Sequence, residues 1–99
     1  MSLFYSPQEL LTTLGERAKE CRLASGRRQV DVAKSAGVPL STLKRFEGGT
    51  NVGLDVVARV ALALGAERDL ANLFVVPEAG SMDELLERNR RRIRGKRPA

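Results

Sequence analysis

Apolar positions recur along most of this chain at intervals of three and four, the spacing that keeps one face of an α-helix away from water. Leu11, Leu14, Ala18 and Cys21 are the first such series. Ahead of them, Ser6-Pro7-Gln8-Glu9 has the form of a capping box, with a Ser cap, Pro at the first helical position and Glu at the third. A first helix is predicted from there to about Ala24, ended by Ser25-Gly26. Gly15 lies inside it and weakens it by up to ~1 kcal/mol relative to Ala. Thr13 to Glu16 offers a second capping box, which leaves a break near Thr13 open.

Two shorter helices follow. Val32, Ala33 and Ala36 share one face of a second helix, over about Arg28 to Ala36. Gly37 stops it, because glycine takes the left-handed conformation without a Cβ clash. Val38 plugs the turn, and Pro39 suits the first position of a third helix, over about Leu40 to Glu47. Leu43 and Phe46 turn inward in that helix, leaving Ser41, Thr42, Lys44 and Arg45 outside. Hydroxyls and cations on the free face of a short helix suit base edges and phosphates.

Gly48-Gly49-Thr50-Asn51 reads as a loop, and a fourth helix is predicted over about Leu54 to Leu64. Leu54, Val57, Ala58, Ala61 and Leu64 give it a core face. Val56, Val60, Leu62 and Ala63 widen the apolar surface beyond one side, so the helix needs cover from more than one direction. A fifth helix, about Arg68 to Phe74 with Leu70, Leu73 and Phe74, supplies part of that cover. The rest is either a subunit interface or is absorbed by one small core. Pro77 to Gly80 reads as a linker. A third capping box, Ser81 to Glu84, opens a short helix through about Arg90, and Arg88 to Ala99 is a run of like charge. The expected organisation is a domain over residues 1–76 and a linker, short helix and Arg-rich tail over 77–99.

Composition narrows the function. The 99 residues carry a net charge of +5 with a pI near 10.1, which favours a polyanionic partner. Residues 1–80 hold ten basic and nine acidic side chains, whereas 81–99 hold seven and three. The excess therefore sits in Arg88, Arg90, Arg91, Arg92, Arg94, Lys96 and Arg97. Such a run either tracks DNA phosphates, binds an acidic protein, or only aids solubility. There is no His, and Cys21 is the one cysteine, so zinc-ligand and Cys–His patterns are missing. Cys21 reads as a small buried core residue, with a redox role as the lesser alternative. No apolar run reaches membrane-spanning length and no signal-peptide pattern opens the chain, so a cytoplasmic protein without a membrane role is expected. Neither a catalytic constellation nor a site for a metal or other cofactor is legible, and an enzyme is not expected.

The segment RRQVDVAKSAGVPLSTLKRFEGG resembles the helix-turn-helix of the phage-repressor, Cro and Xre type of bacterial DNA-binding domain. LGERAKECRLASG before it is similar to that family's first helix, and LDVVARVALALG after it to the fourth. The resemblance implies an all-α fold: a five-helix repressor-like domain, here with a short C-terminal helix and a basic tail. It further implies that Gln29 contacts a phosphate and steadies the third helix. By position in the motif, Leu40, Ser41, Lys44 and Arg45 are the candidates for the major groove. Lys44 or Arg45 can read guanine O6 and N7, Arg bidentately. Leu40 departs from the polar residue often found in the family: it either meets a thymine methyl or merely starts the helix. Thr42 either touches a phosphate or faces the scaffold. Thr50 and Asn51 belong to a loop whose backbone N–H groups either hold phosphate or only connect. Glu47 would set a carboxylate beside DNA, and the resemblance pairs it internally with Arg22.

The function implied is a sequence-specific transcriptional regulator that binds double-stranded DNA. It is expected to act as a homodimeric repressor on a near-palindromic operator. The arrangement is also similar to small Xre-type antitoxins encoded beside HipA-like kinase toxins. That similarity rests on the SPQELLTTLGERAKE start, the Gly-Gly loop, the short fifth helix and Ser81-x-Asp83-Glu84-Leu85-Leu86 before the Arg-rich tail. An antitoxin would bind both operator DNA and a toxin protein. A module that kept the helices but gave up DNA binding is disfavoured by Lys44 and Arg45.

Overall fold

The computed structural model describes residues 5–77 together with Leu86, Glu87, Asn89 and Arg90. Among these residues the fold is all-helical: α1 (Pro7–Ala24), α2 (Gln29–Ala36), α3 (Leu40–Glu47), α4 (Leu54–Leu64) and α5 (Glu67–Ala71). The Ser6 capping box forms in full. Ser6 Oγ accepts from the Glu9 amide (3.0 Å), and the Ser6 amide donates to Glu9 Oε1 (3.1 Å). No break occurs near Thr13, and α1 runs unbroken across Gly15. Arg28 caps α2 from outside, and Pro39 stands one residue before α3 with extended backbone (φ −61°, ψ 146°) rather than inside it. Its ring cannot donate, and its carbonyl accepts the first amides of α3, from Thr42 and Leu43.

The core is a cluster of Val32, Ala33, Ala36, Leu43, Phe46 and Val60. Val32, Leu43 and Val60 are fully enclosed, each burial stabilising by roughly 1.5–3 kcal/mol. Val38 packs on this cluster from the α2–α3 turn. Gly37 makes the turn at φ +70°, and the Val38 amide returns to the Ala33 carbonyl (3.0 Å), closing α2.

Three expectations are corrected. The inward face of α1 runs through Leu11, Gly15, Ala18 and Arg22, so Leu14 and Cys21 lie at its edge and are exposed. Cys21 is thus not a core residue; it lines an open groove between α1 and α5. Leu54 is 71 % exposed at the start of α4, and Val60 takes the buried place. The fifth helix starts earlier and ends at Ala71, where Asn72 closes a turn, leaving Leu73 and Phe74 outside it and exposed. Among the described residues, then, part of the apolar surface of α4 and α5 is left exposed.

The expected linker lies outside the described residues except for Pro77, as does most of the short helix. Of that helix, Leu86, Glu87, Asn89 and Arg90 are helical, with Arg90 paired to Glu87. Arg88, Arg91, Arg92, Arg94, Lys96 and Arg97 lie outside the described residues.

Candidate nucleic-acid interface

The three-and-four spacing of Leu43, Phe46 and Glu47 commits one face of α3 to the interior. The opposite face follows from it: Leu40 is partly and Ser41, Lys44 and Arg45 are freely exposed, and Thr42 is half-buried at the margin. Among the described residues none of these polar side chains has a hydrogen-bonding partner within the chain. Two cations and a hydroxyl are therefore held on a rigid helix with their donors turned to solvent.

Glu47 explains how this helix is fixed. Its carboxylate is buried and receives three donors. Arg22 Nε donates to Oε2 (2.8 Å), Arg22 Nη2 to Oε1 (3.1 Å), and Gln29 Nε2 to Oε1 (3.0 Å). Arg22 Nη1 donates to the Arg27 carbonyl (3.1 Å). One guanidinium thus ties α1, α3 and the segment before α2 together, while Gln29 adds the first turn of α2. The hydrogen bonds to Glu47 hold the Arg22 guanidinium above its ordinary pKa, against burial, which pushes it down. The negative charge of Glu47 is spent internally, so it does not oppose a phosphate approaching α3. Gln29 is half-buried and turned toward Glu47. Its second amide hydrogen and its carbonyl remain for an outside group.

The loop after α3 is more committed than its sequence suggests. The amides of Gly48, Gly49 and Thr50 donate back to the carbonyls of Lys44 (3.1 Å), Phe46 (3.0 Å) and Arg45 (2.9 Å). They close the helix and are not free to hold phosphate. Asn51 Oδ1 accepts from the Gly53 amide (3.1 Å), a local turn that leads into α4 and leaves the Asn51 NH₂ outward. The Thr50 side chain is exposed.

Three contributors had no local signal in the sequence. Gln8 Nε2 donates to the Gly49 carbonyl (3.1 Å), across 41 positions, and fastens α1 to this loop. Gly15 lets α1 touch the end of α3: a Cβ there would overlap the Phe46 carbonyl oxygen and sit 3.0 Å from that of Glu47. Arg27 Nη1 donates to the Ala63 carbonyl (2.6 Å), placing a cation at the C-terminal end of α4, where the helix dipole favours it. Beside them, the exposed Arg28 guanidinium grips Asp31 and holds its carboxyl below the usual range.

Comparison with known families matches residues 13–74, more than half of the chain, to a family described as helix-turn-helix domain. The matched span contains α2, the Gly37 turn and α3. The chain belongs to the helix-turn-helix domain family. Membership agrees with the resemblance to Xre-type domains and makes the outer face of α3 the place to look for DNA contacts. Comparison with curated proteins and with solved structures gave no match. Among the described residues, no helix is long and apolar enough to cross a membrane, and no three His, Cys, Asp or Glu side chains are grouped to hold a metal.

Proposed function

We propose that this helix-turn-helix protein is a sequence-specific transcriptional regulator, a cytoplasmic repressor that works by binding and not by catalysis. Two copies would set their α3 helices into successive major grooves of a near-palindromic operator. The observation that carries the reading is the α3 outer face. Among the described residues Ser41, Lys44 and Arg45 have no internal partner, and they stand on a helix braced by the buried Arg22–Glu47–Gln29 cluster. Lys44 or Arg45 would read guanine, Ser41 would add a weakly selective hydrogen bond, and Leu40 would meet a thymine methyl. Gln29, Thr42, Thr50 and the Asn51 NH₂ would contact phosphates and set the register. The basic tail would add affinity without selectivity.

The test is fluorescence anisotropy with the DNA upstream of the protein's own gene, against a scrambled duplex of equal length, over several salt concentrations. Tight, salt-resistant preference for the upstream DNA supports an autoregulating repressor. Weak, steeply salt-dependent binding to both would refute the α3 assignments. The antitoxin reading adds a toxin partner on a further surface, and the exposed apolar Leu62 is what favours it. Co-purification with a kinase-sized partner would support it.

A further inference from the structure

Between α1, α4 and α5, with Phe46 of α3 at its floor, the domain carries an open apolar groove of about 340 Å³. Leu14 and Cys21 of α1, Val57 and Leu64 of α4, and Leu70 and Leu73 of α5 and its end line it. None of the candidate DNA-contacting residues does. The next residue after Leu73 is Phe74, which is 99 % exposed and holds φ +62°, the only positive φ at a non-glycine among the described residues. A bulky side chain in the left-handed region costs conformational energy, and a ring wholly in water returns none. We propose that the groove receives a second copy of this chain, with Phe74 of each protomer seated in the groove of its partner.

Two features select a second copy over an unrelated occupant. A two-fold contact requires one patch to carry both halves of the match, since each residue of a contacting pair appears on both sides. Knob and groove lie side by side here, at Phe74 and Leu73. The charges obey the same rule: the groove contains one cation, Arg17, and one anion, Asp69. A two-fold arrangement in which Arg17 of one protomer meets Asp69 of its partner would form that ion pair twice. Phe46 lines the groove from the inner face of α3, and none of the outward α3 residues does, so this pairing would leave both reading faces open. The inference rests on the dimer of the proposed function and locates its interface.

Cys21 is a built-in reporter, because it lines the groove and is exposed in one copy. The experiment combines sedimentation of the full chain with the rate of Cys21 reaction with a maleimide dye over a dilution series. In the wild type the rate is expected to fall about tenfold between concentrations far below and far above the dimer dissociation constant, by mass action. Phe74→Asp and Arg17→Asp should remain monomeric with a fast, concentration-independent rate. Arg17→Asp combined with Asp69→Arg should restore both dimer and protection. A monomer at every concentration overturns the proposal. So does a dimer in which Cys21 reacts at the monomer rate, or slow reaction in a monomer, which would mean that the chain's own residues cover the groove. Binding to a duplex is read separately: dimer and protection without DNA binding supports this interface and sinks only the DNA-binding reading.

Discussion

At the scale of single residues, exposed and buried charges do opposite work. Arg45 is exposed, with no internal partner among the described residues, so its removal should leave the fold intact. Arg45→Ala is expected to lower binding to the operator by about 1–3 kcal/mol, the worth of one bidentate contact to guanine, and to lower binding to scrambled DNA much less. Anisotropy on both duplexes checks this, and equal weakening on both would make Arg45 a phosphate contact. Arg22 and Glu47 are both nearly enclosed. Arg22→Met strands a buried carboxylate and should cost roughly 3–5 kcal/mol of stability. Arg22→Met with Glu47→Leu removes both charges and should cost less than either change alone. Denaturant unfolding of the two singles and the double measures the coupling, and simple additivity would contradict it.

At the scale of the elements, α2, α3 and α4 are legible in the sequence because their signals are local. Gly37 and Gly65 end α2 and α4 in left-handed turns, and spaced apolar residues mark their inner faces. What is not legible comes from packing between elements. By spacing and apolarity Leu14 and Cys21 suit the α1 interior better than Gly15, yet Gly15 faces inward because α1 must approach the Phe46 and Glu47 carbonyls. Hydrophobicity alone places Leu73 and Phe74 in a helix, whereas Asn72 ends α5 before them. Nor can spacing show that the loop amides after α3 are used in closing the helix. Gly15 makes the difference testable. In an isolated helix Gly→Ala is stabilising by up to about 1 kcal/mol. Here Gly15→Ala should lower the melting temperature, because the added methyl meets backbone oxygens that cannot turn aside. An unchanged or raised melting temperature would show that α1 and α3 can separate without penalty.

At the scale of the whole molecule, charge and symmetry divide affinity from selectivity. Residues 1–80 are nearly balanced, so the cations beyond them are the main source of long-range attraction. Deleting residues 88–99 should flatten the dependence of log K on log salt by about 0.9 for each phosphate that the tail neutralises, while leaving the preference for operator over scrambled DNA nearly intact. An unchanged slope would assign the tail to a protein partner or to solubility. Symmetry governs the other quantity. Two α3 helices in one rigid dimer stand a fixed distance apart, so half-sites must be about 34–36 Å from centre to centre to receive both. Inserting about five base pairs between them turns the second half-site to the far side of the duplex, and affinity should fall to that of one half-site. Inserting about ten restores the face but lengthens the span, so affinity should recover only if the dimer can stretch. Affinity indifferent to both insertions would mean that each copy binds alone, and the near-palindrome would then have no structural reason.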